Sequence, residues 1–293
     1  MDVSGYLKEK GRLVEEELDR LVPETKSPYA SLFSAARYSL LGGGKRLRPI
    51  LALATVEMFE GNSAHALAPA CVLEIVHTYS LIHDDLPCMD DDDFRRGKPS
   101  LHRVFPEGHA VLTGDFLLTY AFEVLSRDPY LSAEKKVRLI SLLTRCAGGE
   151  GMIAGQVMDL ESEGKQIDLE AMQLMHQNKT GAVITASLEF GGILADASEN
   201  ELKQLRAFGK DIGLAFQIID DVLDVTDSQA KRGKSEASDL VNGKSTYVSL
   251  LGLEQSQVAA QKLLQSARGA LEGLSKDSSR LIALAECMVY RKS

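Results

Sequence analysis

Several residue types and patterns are scarce or missing in this chain of 293 residues. Tryptophan is absent, and aromatic residues make up only 6% of the sequence. There is no uninterrupted run of about 18 apolar residues, so we expect no membrane span. The net charge of −9 is the opposite of the basic excess typical of nucleic-acid-binding proteins, so we expect no nucleic-acid partner. The N-terminal segment is charged and lacks an apolar h-region, so we expect no signal peptide and a cytoplasmic location.

Cysteine pairs and strand patterns are also missing. The four cysteines, Cys71, Cys88, Cys146 and Cys287, are far apart in the chain, and none forms a C-x-x-C pair. This spacing does not indicate a zinc site, and we expect free thiols in a reducing compartment. Alternating β-branched residues between turn signals are almost absent, so the sequence does not predict a sheet as the main architecture.

Apolar residues at helical spacing fill most of the chain. In the first segment, Leu7, Val14, Leu18 and Leu21 recur at this spacing. Many segments are apolar on most faces, which is typical of helices inside a large bundle. We therefore predict one all-α domain over residues 1–293, with a polar, lid-like loop at about 228–243. The predicted helices span about 4–21, 28–40, 47–59, 64–84, 109–126, 133–147, 149–162, 168–178, 181–194, 199–227, 244–269 and 276–290, and 168–178 with 181–194 could form one helix interrupted at Thr180-Gly181.

Aspartates are concentrated directly after the predicted helix that ends near residue 84. They are Asp84, Asp85, Asp90, Asp91, Asp92 and Asp93. Carboxylates this close repel one another, and Mg²⁺ is a cation that proteins hold with one or two carboxylates and substrate phosphates. A solvated acidic loop is the alternative. A straight helix would align Asp84 with Asp91, whereas a bend at Pro87 would bring Asp90 beside Asp84, and the spacing does not choose between them.

A second acidic pair lies in a later apolar helix. Asp220 and Asp224 are four residues apart and therefore share one helix face. Like charges at this spacing destabilise a helix, and the C-terminal end of a helix also repels anions. The alternative is that these acids simply face water at the helix end. Two such clusters after apolar helices favour bound cations.

Basic residues complement the acidic ones. Lys45, Arg46 and Arg48 follow consecutive glycines and open a helix, an arrangement typical of an anion site, although the Walker spacing is absent. Further basic residues that could bind phosphate are Arg95, Arg96, Lys98, Lys179, Lys234 and Lys244. Acids for a metal and bases for phosphate, among apolar helices, together predict a site for an apolar substrate that carries a diphosphate.

These motifs resemble those of the trans-type prenyl diphosphate synthases, and most closely the bacterial farnesyl diphosphate synthases. The matching segments are GGGKRLRP (42–49), HTYSLIHDDLPCMDDDDFRRGKPSLH (77–102), GMIAGQVMDL (151–160), NKTGAV (178–183), FQIIDDVLD (216–224) and GKST (243–246). The resemblance implies a homodimer of helical bundles, each around a deep central cavity. It also implies that isopentenyl diphosphate condenses with dimethylallyl or geranyl diphosphate by ionisation, condensation and elimination to give farnesyl diphosphate.

The resemblance further implies a role for each site residue. About three Mg²⁺ per site would be held by Asp84, Asp85 and Asp90 and, across the cavity mouth, by Asp220 and Asp224. The allylic diphosphate would bind Arg95, Lys179, Thr180, Gln217, Lys234 and Lys244, with the oxygen dipoles of Thr180 and Gln217 supporting the cation. Isopentenyl diphosphate would bind Gly44, Lys45, Arg48, His77 and Arg96, and the C-terminal Arg291 and Lys292 resemble a basic tail that closes over it.

Product length is expected to depend on the helix before Asp84. Tyr79 lies five residues earlier, about 7.5 Å along the axis, where its ring would form a floor that stops the chain at fifteen carbons. Ser80 beside it is small, and ordinary core packing is the alternative role for Tyr79. A geranylgeranyl diphosphate synthase would differ only in pocket depth. A terpene cyclase is less expected, because it needs no isopentenyl site and this chain keeps GGKRLRP and RRG. Two alternatives from other classes are a non-catalytic subunit of a heteromeric synthase, although both aspartate clusters are intact, and an all-α interaction protein with acidic surface patches.

Overall fold

A computed structural model describes residues 2–230 and 245–291, and within these ranges almost all regular structure is helical. The prediction of an all-α fold is therefore confirmed. The described chain forms two compact units: the first comprises Asp2–Ile140 with Ile193–Ala195, and the second comprises Ser141–Gly192 with the described part of Asp196–Ser293. The prediction that residues 1–293 act as one domain stays a prediction. The four cysteines are free thiols, as expected.

The helices follow the predicted order. In the first unit they are α1 (Val3–Leu21), α2 (Ala30–Leu40), α3 (Leu47–Met58), α4 (Ser63–Asp84), α5 (Leu101–Val104), α6 (Glu107–Arg127) and the start of α7 (Ala133–Ala147). The second unit contains α8 (Met152–Ser162), α9 (Leu169–His176), a π turn (Gln177–Gly181), most of α10 (Ala182–Leu194), α11 (Glu199–Ala230), α12 (Tyr247–Leu251), α13 (Leu253–Leu271) and α14 (Ser279–Val289).

Helix α4 is the central helix of the first unit and packs against α3 and α6. The Asn62 side chain caps its start by accepting hydrogen bonds from the backbone of Ala64 and His65. In the described ranges it is the one helix whose length and composition would suit a membrane span. Because 67% of its most apolar stretch is buried inside the protein, α4 has the character of a core helix, and this result is weak evidence for a span.

A two-stranded hairpin that the sequence did not predict follows the first acidic cluster. Strand β1 (Phe94–Arg95) pairs antiparallel with β2 (Lys98–Pro99), with Arg95 opposite Lys98. The two turn residues, Arg96 and Gly97, both have positive φ, as a tight type I′ hairpin requires. Two-residue strands are too short to show alternation, so the sequence carries no periodic signal for them. The hairpin sends the side chains of Arg95 and Arg96 to different partners.

In the second unit, the π turn joins α9 to α10 at the predicted interruption. Gly155 of α8 lies against this turn so closely that a Cβ atom there would be 2.1 Å from the backbone nitrogen of Lys179. A glycine is therefore required for α8 to pack here. π turns of this kind occur frequently at functional sites, where they change the local direction of side chains.

Two predicted boundaries are wrong. The helix predicted over about 244–269 is divided at Gly252, whose φ of 82° is unfavourable for other residues, into α12 and α13. Thr246 and Ser249 form a reciprocal capping box that starts α12. Helix α11 also continues to Ala230, so the predicted loop cannot begin at residue 228. Residues 231–243 of that loop lie outside the described residues.

Candidate active site

The first acidic cluster contains a tight bend that brings two aspartates together. The backbone N–H of Asp90 donates to the carbonyl of Asp84 at 2.9 Å, directly after α4 ends. Asp91, with φ of 48°, donates to the carbonyl of Leu86 at 3.1 Å. The bend that Pro87 allows is therefore present, and it brings the backbone of Asp90, rather than that of Asp91, into contact with the backbone of Asp84. Carboxylates at both ends of one short turn suit a divalent cation that also takes phosphate and water oxygens.

Asp85, a predicted metal ligand, binds an arginine in this structure. Its carboxylate is buried and accepts from Arg95 Nε at 2.9 Å and from Arg95 Nη2 at 2.5 Å. The same guanidinium reaches Asp92 at 2.7 Å. Burial raises the pKa of Asp85, and the hydrogen bonds from Arg95 oppose that shift. Asp85 thus orients Arg95. Among the described residues, no three aspartate, glutamate, histidine or cysteine side chains lie close enough together to hold a metal ion by themselves.

The glycine-rich turn contains an arginine that points inward. Arg46 is buried, donates to Glu74 Oε1 at 2.8 Å and to the carbonyl of Leu40 at 2.7 Å, and has the left-handed φ of 50°. The expectation that all three basic residues of this turn face an anion is therefore wrong for Arg46. Lys45 is exposed and Arg48 is half-buried, so both stay candidates. The sequence signal for the ion pair between Arg46 and Glu74 was a single glutamate within the apolar stretch of α4, and it was not recognised.

Arg96 and Gly44 are in direct contact. The guanidinium of Arg96 donates to the carbonyl of Gly43 and lies 3.3 Å from Glu74 Oε1. A Cβ atom on Gly44, where φ is 121°, would lie 2.7 Å from Cζ of Arg96. The positive φ favours glycine at this position, and a side chain there would also force the guanidinium of Arg96 to move. Glu74 therefore holds Arg46 and Arg96 together.

His77 lies among these arginines on α4. Burial, and then the positive charges of Arg48 and Arg96, lower the pKa of His77 well below its ordinary value near 6.5. The ring is consequently neutral at physiological pH. The structure therefore brings His77, Arg48, Arg96 and Gly44 into one electropositive neighbourhood, and Lys45 is exposed on the same turn. Their role in binding isopentenyl diphosphate stays a prediction.

The chain-length candidates also lie on α4. Tyr79 is buried, and its ring packs edge-on against His83, with centroids 5.9 Å apart. The Ser80 hydroxyl donates to the carbonyl of His77 at 2.9 Å, so it is bonded to its own helix. Tyr79 is thus a large, fixed ring one turn before the acidic cluster.

In the second unit, the second acidic pair has a basic partner from the C-terminal end. The guanidinium of Arg291 binds the carboxylate of Asp220 and lies 4.0 Å from the ring centroid of Phe216. Arg291 was expected to close over isopentenyl diphosphate, and here its partner is Asp220. Asp220 and Asp224 lie on one face of α11, one turn apart, as predicted.

The π turn carries the candidates Lys179 and Thr180, and it contacts the candidate Gln217 of α11. Lys179 Nζ lies 2.6 Å from Asp159 Oδ2, and the Thr180 hydroxyl donates to Gln217 Oε1 at 3.0 Å. Gln217 Nε2 donates to the buried Asp221 at 3.1 Å. Asp159 and Asp221 lie within matched motifs but were not predicted as site residues.

The three remaining candidates are not described. Lys234, Lys244 and Lys292 lie outside the described residues.

Comparison with known proteins gives consistent matches. The profile of the family described as Polyprenyl synthetase matches residues 30–282. The chain is 44% identical to "Heterodimeric geranylgeranyl pyrophosphate synthase large subunit 1, chloroplastic" of Arabidopsis thaliana, covering 100% of this chain and 80% of that protein. It is 42% identical to "Farnesyl diphosphate synthase" of Bacillus subtilis, covering 99% of this chain and 98% of the relative. Among solved structures, an FPP/GFPP synthase from Zymomonas mobilis is similar with a TM-score of 0.87, 36% identity and coverage of 100% and 99% of the two chains.

Proposed function

Because the chain belongs to the polyprenyl synthetase family, we propose that it joins isopentenyl diphosphate to dimethylallyl or geranyl diphosphate in a Mg²⁺-dependent reaction, with farnesyl diphosphate as the main product. The observation that carries this proposal is the bend that places Asp90 beside Asp84, with Arg95 held next to it by Asp85. A solvated acidic loop would need neither the bend nor the buried pair. We also propose that residues 1–293 act as one catalytic domain in a cytoplasmic homodimer.

The acidic groups would bind the diphosphate through Mg²⁺. Asp84 and Asp90, together with Asp220 and Asp224, would hold Mg²⁺, which supplies charge neutralisation for the departing diphosphate when bound. All four groups are hard oxygen donors, which fit this ion. Asp85 contributes by holding the guanidinium of Arg95 ready for a phosphate.

The basic groups bind and orient the two substrates. Arg95 and Lys179, with Lys234 and Lys244, bind the allylic diphosphate, while Lys45, Arg48, Arg96 and neutral His77 bind isopentenyl diphosphate. The oxygens of Thr180 and Gln217 stabilise the allylic cation that remains when the bond to diphosphate breaks. The isopentenyl double bond then attacks carbon 1 of that cation, and the released diphosphate accepts the proton whose loss restores an allylic product. Apolar walls exclude the water that would trap the cation.

The product length depends on Tyr79. Its buried ring, fixed against His83 one turn before Asp84, supports a floor at fifteen carbons. A specific observation favours the second candidate, geranylgeranyl diphosphate, because relatives named as geranylgeranyl synthases reach 44% identity. A non-catalytic role as one part of a heteromer is less well supported, since both acidic pairs are intact.

One assay tests the proposal. Purified protein is incubated with Mg²⁺, labelled isopentenyl diphosphate and either dimethylallyl or geranyl diphosphate, and the products are resolved by length. We expect a fifteen-carbon product that disappears with chelator and in the Asp84→Asn/Asp90→Asn double variant. A twenty-carbon product would select the second candidate, and no product from either starter would refute synthase activity of the isolated chain. Analytical ultracentrifugation of the same sample tests the homodimer.

A further inference from the structure

A continuous chain of hydrogen bonds in the second unit links α12 to the π turn. The backbone N–H of Tyr247 donates to Asp221 Oδ2 at 2.9 Å, and Gln217 Nε2 donates to Asp221 Oδ1 at 3.1 Å. The Thr180 hydroxyl donates to Gln217 Oε1 at 3.0 Å. These four residues lie on three different elements, so this series of hydrogen bonds depends on the tertiary fold and not on local sequence alone.

The direction of every bond in this chain is determined by chemistry. A backbone N–H can only donate, and an ionised carboxylate can only accept. Asp221 must therefore face the amide nitrogen of Gln217, which turns the amide oxygen of Gln217 towards Thr180. Since that oxygen can only accept, the single hydroxyl proton of Thr180 is committed to it. Thr180 Oγ1 consequently presents only lone pairs in its other directions.

The surroundings of Asp221 preserve this polarity. Asp221 is only 4% exposed, and Tyr247, which supplies the fixed donor, is 1% exposed. The ring of the buried His176 stacks on Tyr247, and its Nε2 lies 3.9 Å from Asp221. A buried carboxylate orients nearby dipoles strongly because little water screens it. Gln217 and Thr180 are half-buried and can face substrate.

We propose that Asp221 is a positioning residue that sets the amide orientation of Gln217 and, through it, directs the lone pairs of Thr180 towards the allylic cation. This inference rests on the proposed function, in which Thr180 and Gln217 stabilise that cation. It gives Asp221 a role different from that of the neighbouring Asp220, because both carboxylate oxygens of Asp221 accept bonds from the protein. Asp221 acts on the reaction through Gln217.

The substitution Asp221→Asn tests the orientation with almost no change in shape. The oxygen of the new amide must face the N–H of Tyr247, so its NH₂ group must face Gln217. Gln217 then turns over, and its own NH₂ donates to Thr180. The hydroxyl proton of Thr180 is released towards the substrate, which reverses the dipole that the cation meets. In the double variant Asp221→Asn/Gln217→Glu, a carboxylate at 217 accepts from both sides and restores the original direction.

The kinetic expectations follow from this reversal. Asp221→Asn should lower kcat on the order of 10²-fold, the loss typical of a misplaced transition-state dipole, with KM for both substrates changed less than about threefold. The double variant should recover at least about tenfold of that loss. Asp211→Asn, an aspartate-to-asparagine change at a hydrogen-bonded position of the same helix, is the matched control and should keep the parental kcat.

Two further measurements separate positioning from metal binding and from misfolding. Calorimetric titration of Mg²⁺ in the presence of inorganic diphosphate should give the same affinity for Asp221→Asn as for the parent, and a tenfold weaker affinity would overturn the proposal. If Asp221→Asn does not fold, Thr180→Ser and Thr180→Val carry the test. Serine should retain kcat within a few-fold and valine should lose about 10²-fold, whereas equal rates would overturn the proposal.

The outcomes also distinguish this inference from the proposed function. An active parent with an unchanged Asp221→Asn variant, or with no recovery in the double variant, refutes the role of Asp221 alone. A parent that makes no prenyl product refutes the proposed function itself.

Discussion

Glu74 is the residue whose loss we expect to destabilise the first unit most. Its carboxylate is 1% exposed and lies 2.8 Å from Arg46 and 3.3 Å from Arg96. Removing one partner of a buried ion pair typically costs about 3–5 kcal/mol, because the other charge stays buried. Arg46 retains the carbonyl of Leu40 and a contact of 3.3 Å with Glu15, so we expect the lower part of that range, about 3 kcal/mol, for Glu74→Ala.

Urea unfolding followed by circular dichroism measures this loss. Glu74→Gln keeps the volume and one acceptor oxygen, so it should cost about half as much as Glu74→Ala. Glu15→Gln is the matched control, since Glu15 contacts the same arginine but its side chain is 48% exposed, and it should cost less than about 1 kcal/mol. If Glu74→Ala costs no more than Glu15→Gln, the buried pair does not hold the turn and our reasoning is refuted.

The Glu74→Gln variant should also change the KM for one substrate. When Glu74 loses its charge, Arg96 keeps its hydrogen bond to the carbonyl of Gly43 but loses its ionic partner in the electropositive neighbourhood of His77. We therefore expect KM for isopentenyl diphosphate to rise in Glu74→Gln while KM for the allylic starter is unchanged.

Three further predictions concern product length, metal binding and pH. Tyr79→Ala should extend the main product to twenty carbons or more in the product-length assay, and unchanged products would exclude the floor. Arg291→Ala should strengthen Mg²⁺ binding at Asp220 up to about fivefold in calorimetry, because the guanidinium no longer competes, whereas the exposed Lys262→Ala control should have no effect. Burial lowers the pKa of His176 to about 4, so unfolding takes up a proton below about pH 6.5. The free energy of unfolding should therefore fall by up to about 3 kcal/mol as the pH drops from 6.5 to 4. Urea unfolding at both pH values should show this loss in the parent and not in His176→Gln.

Helix positions could be predicted because apolar spacing reports directly on which faces are buried. The starts of α3 and α11 agree with the prediction, and so does the interruption near Thr180. The hairpin at Arg95 was missed because two paired residues carry no periodic signal. The break at Gly252 was missed because one glycine in a helical pattern is usually tolerated.

The candidate site was predictable in composition but not in side-chain direction. Motif spacing identified the acidic and basic groups, and the bend at Asp90 was one of two alternatives left open. The buried partners were not predictable, because Arg46 and Glu74 meet across 28 positions of sequence. Long side chains can reach either an anion or an internal carboxylate from the same backbone position, so only the packed structure reveals that Asp85 binds Arg95.

The π turn between α9 and α10 allows the direction of its own side chains to vary independently of the packing of the flanking helices. Such a turn takes one more residue than a regular turn of helix, so the flanking segments keep their packing while the extra residue is accommodated locally. Neighbouring side chains, here Lys179 and Thr180, then point in more similar directions than consecutive residues of a regular helix do. With Gly155 leaving no space for a side chain on α8, the position of the turn is constrained by backbone contact. Side chains at this turn can therefore change without repacking the helices on either side of it.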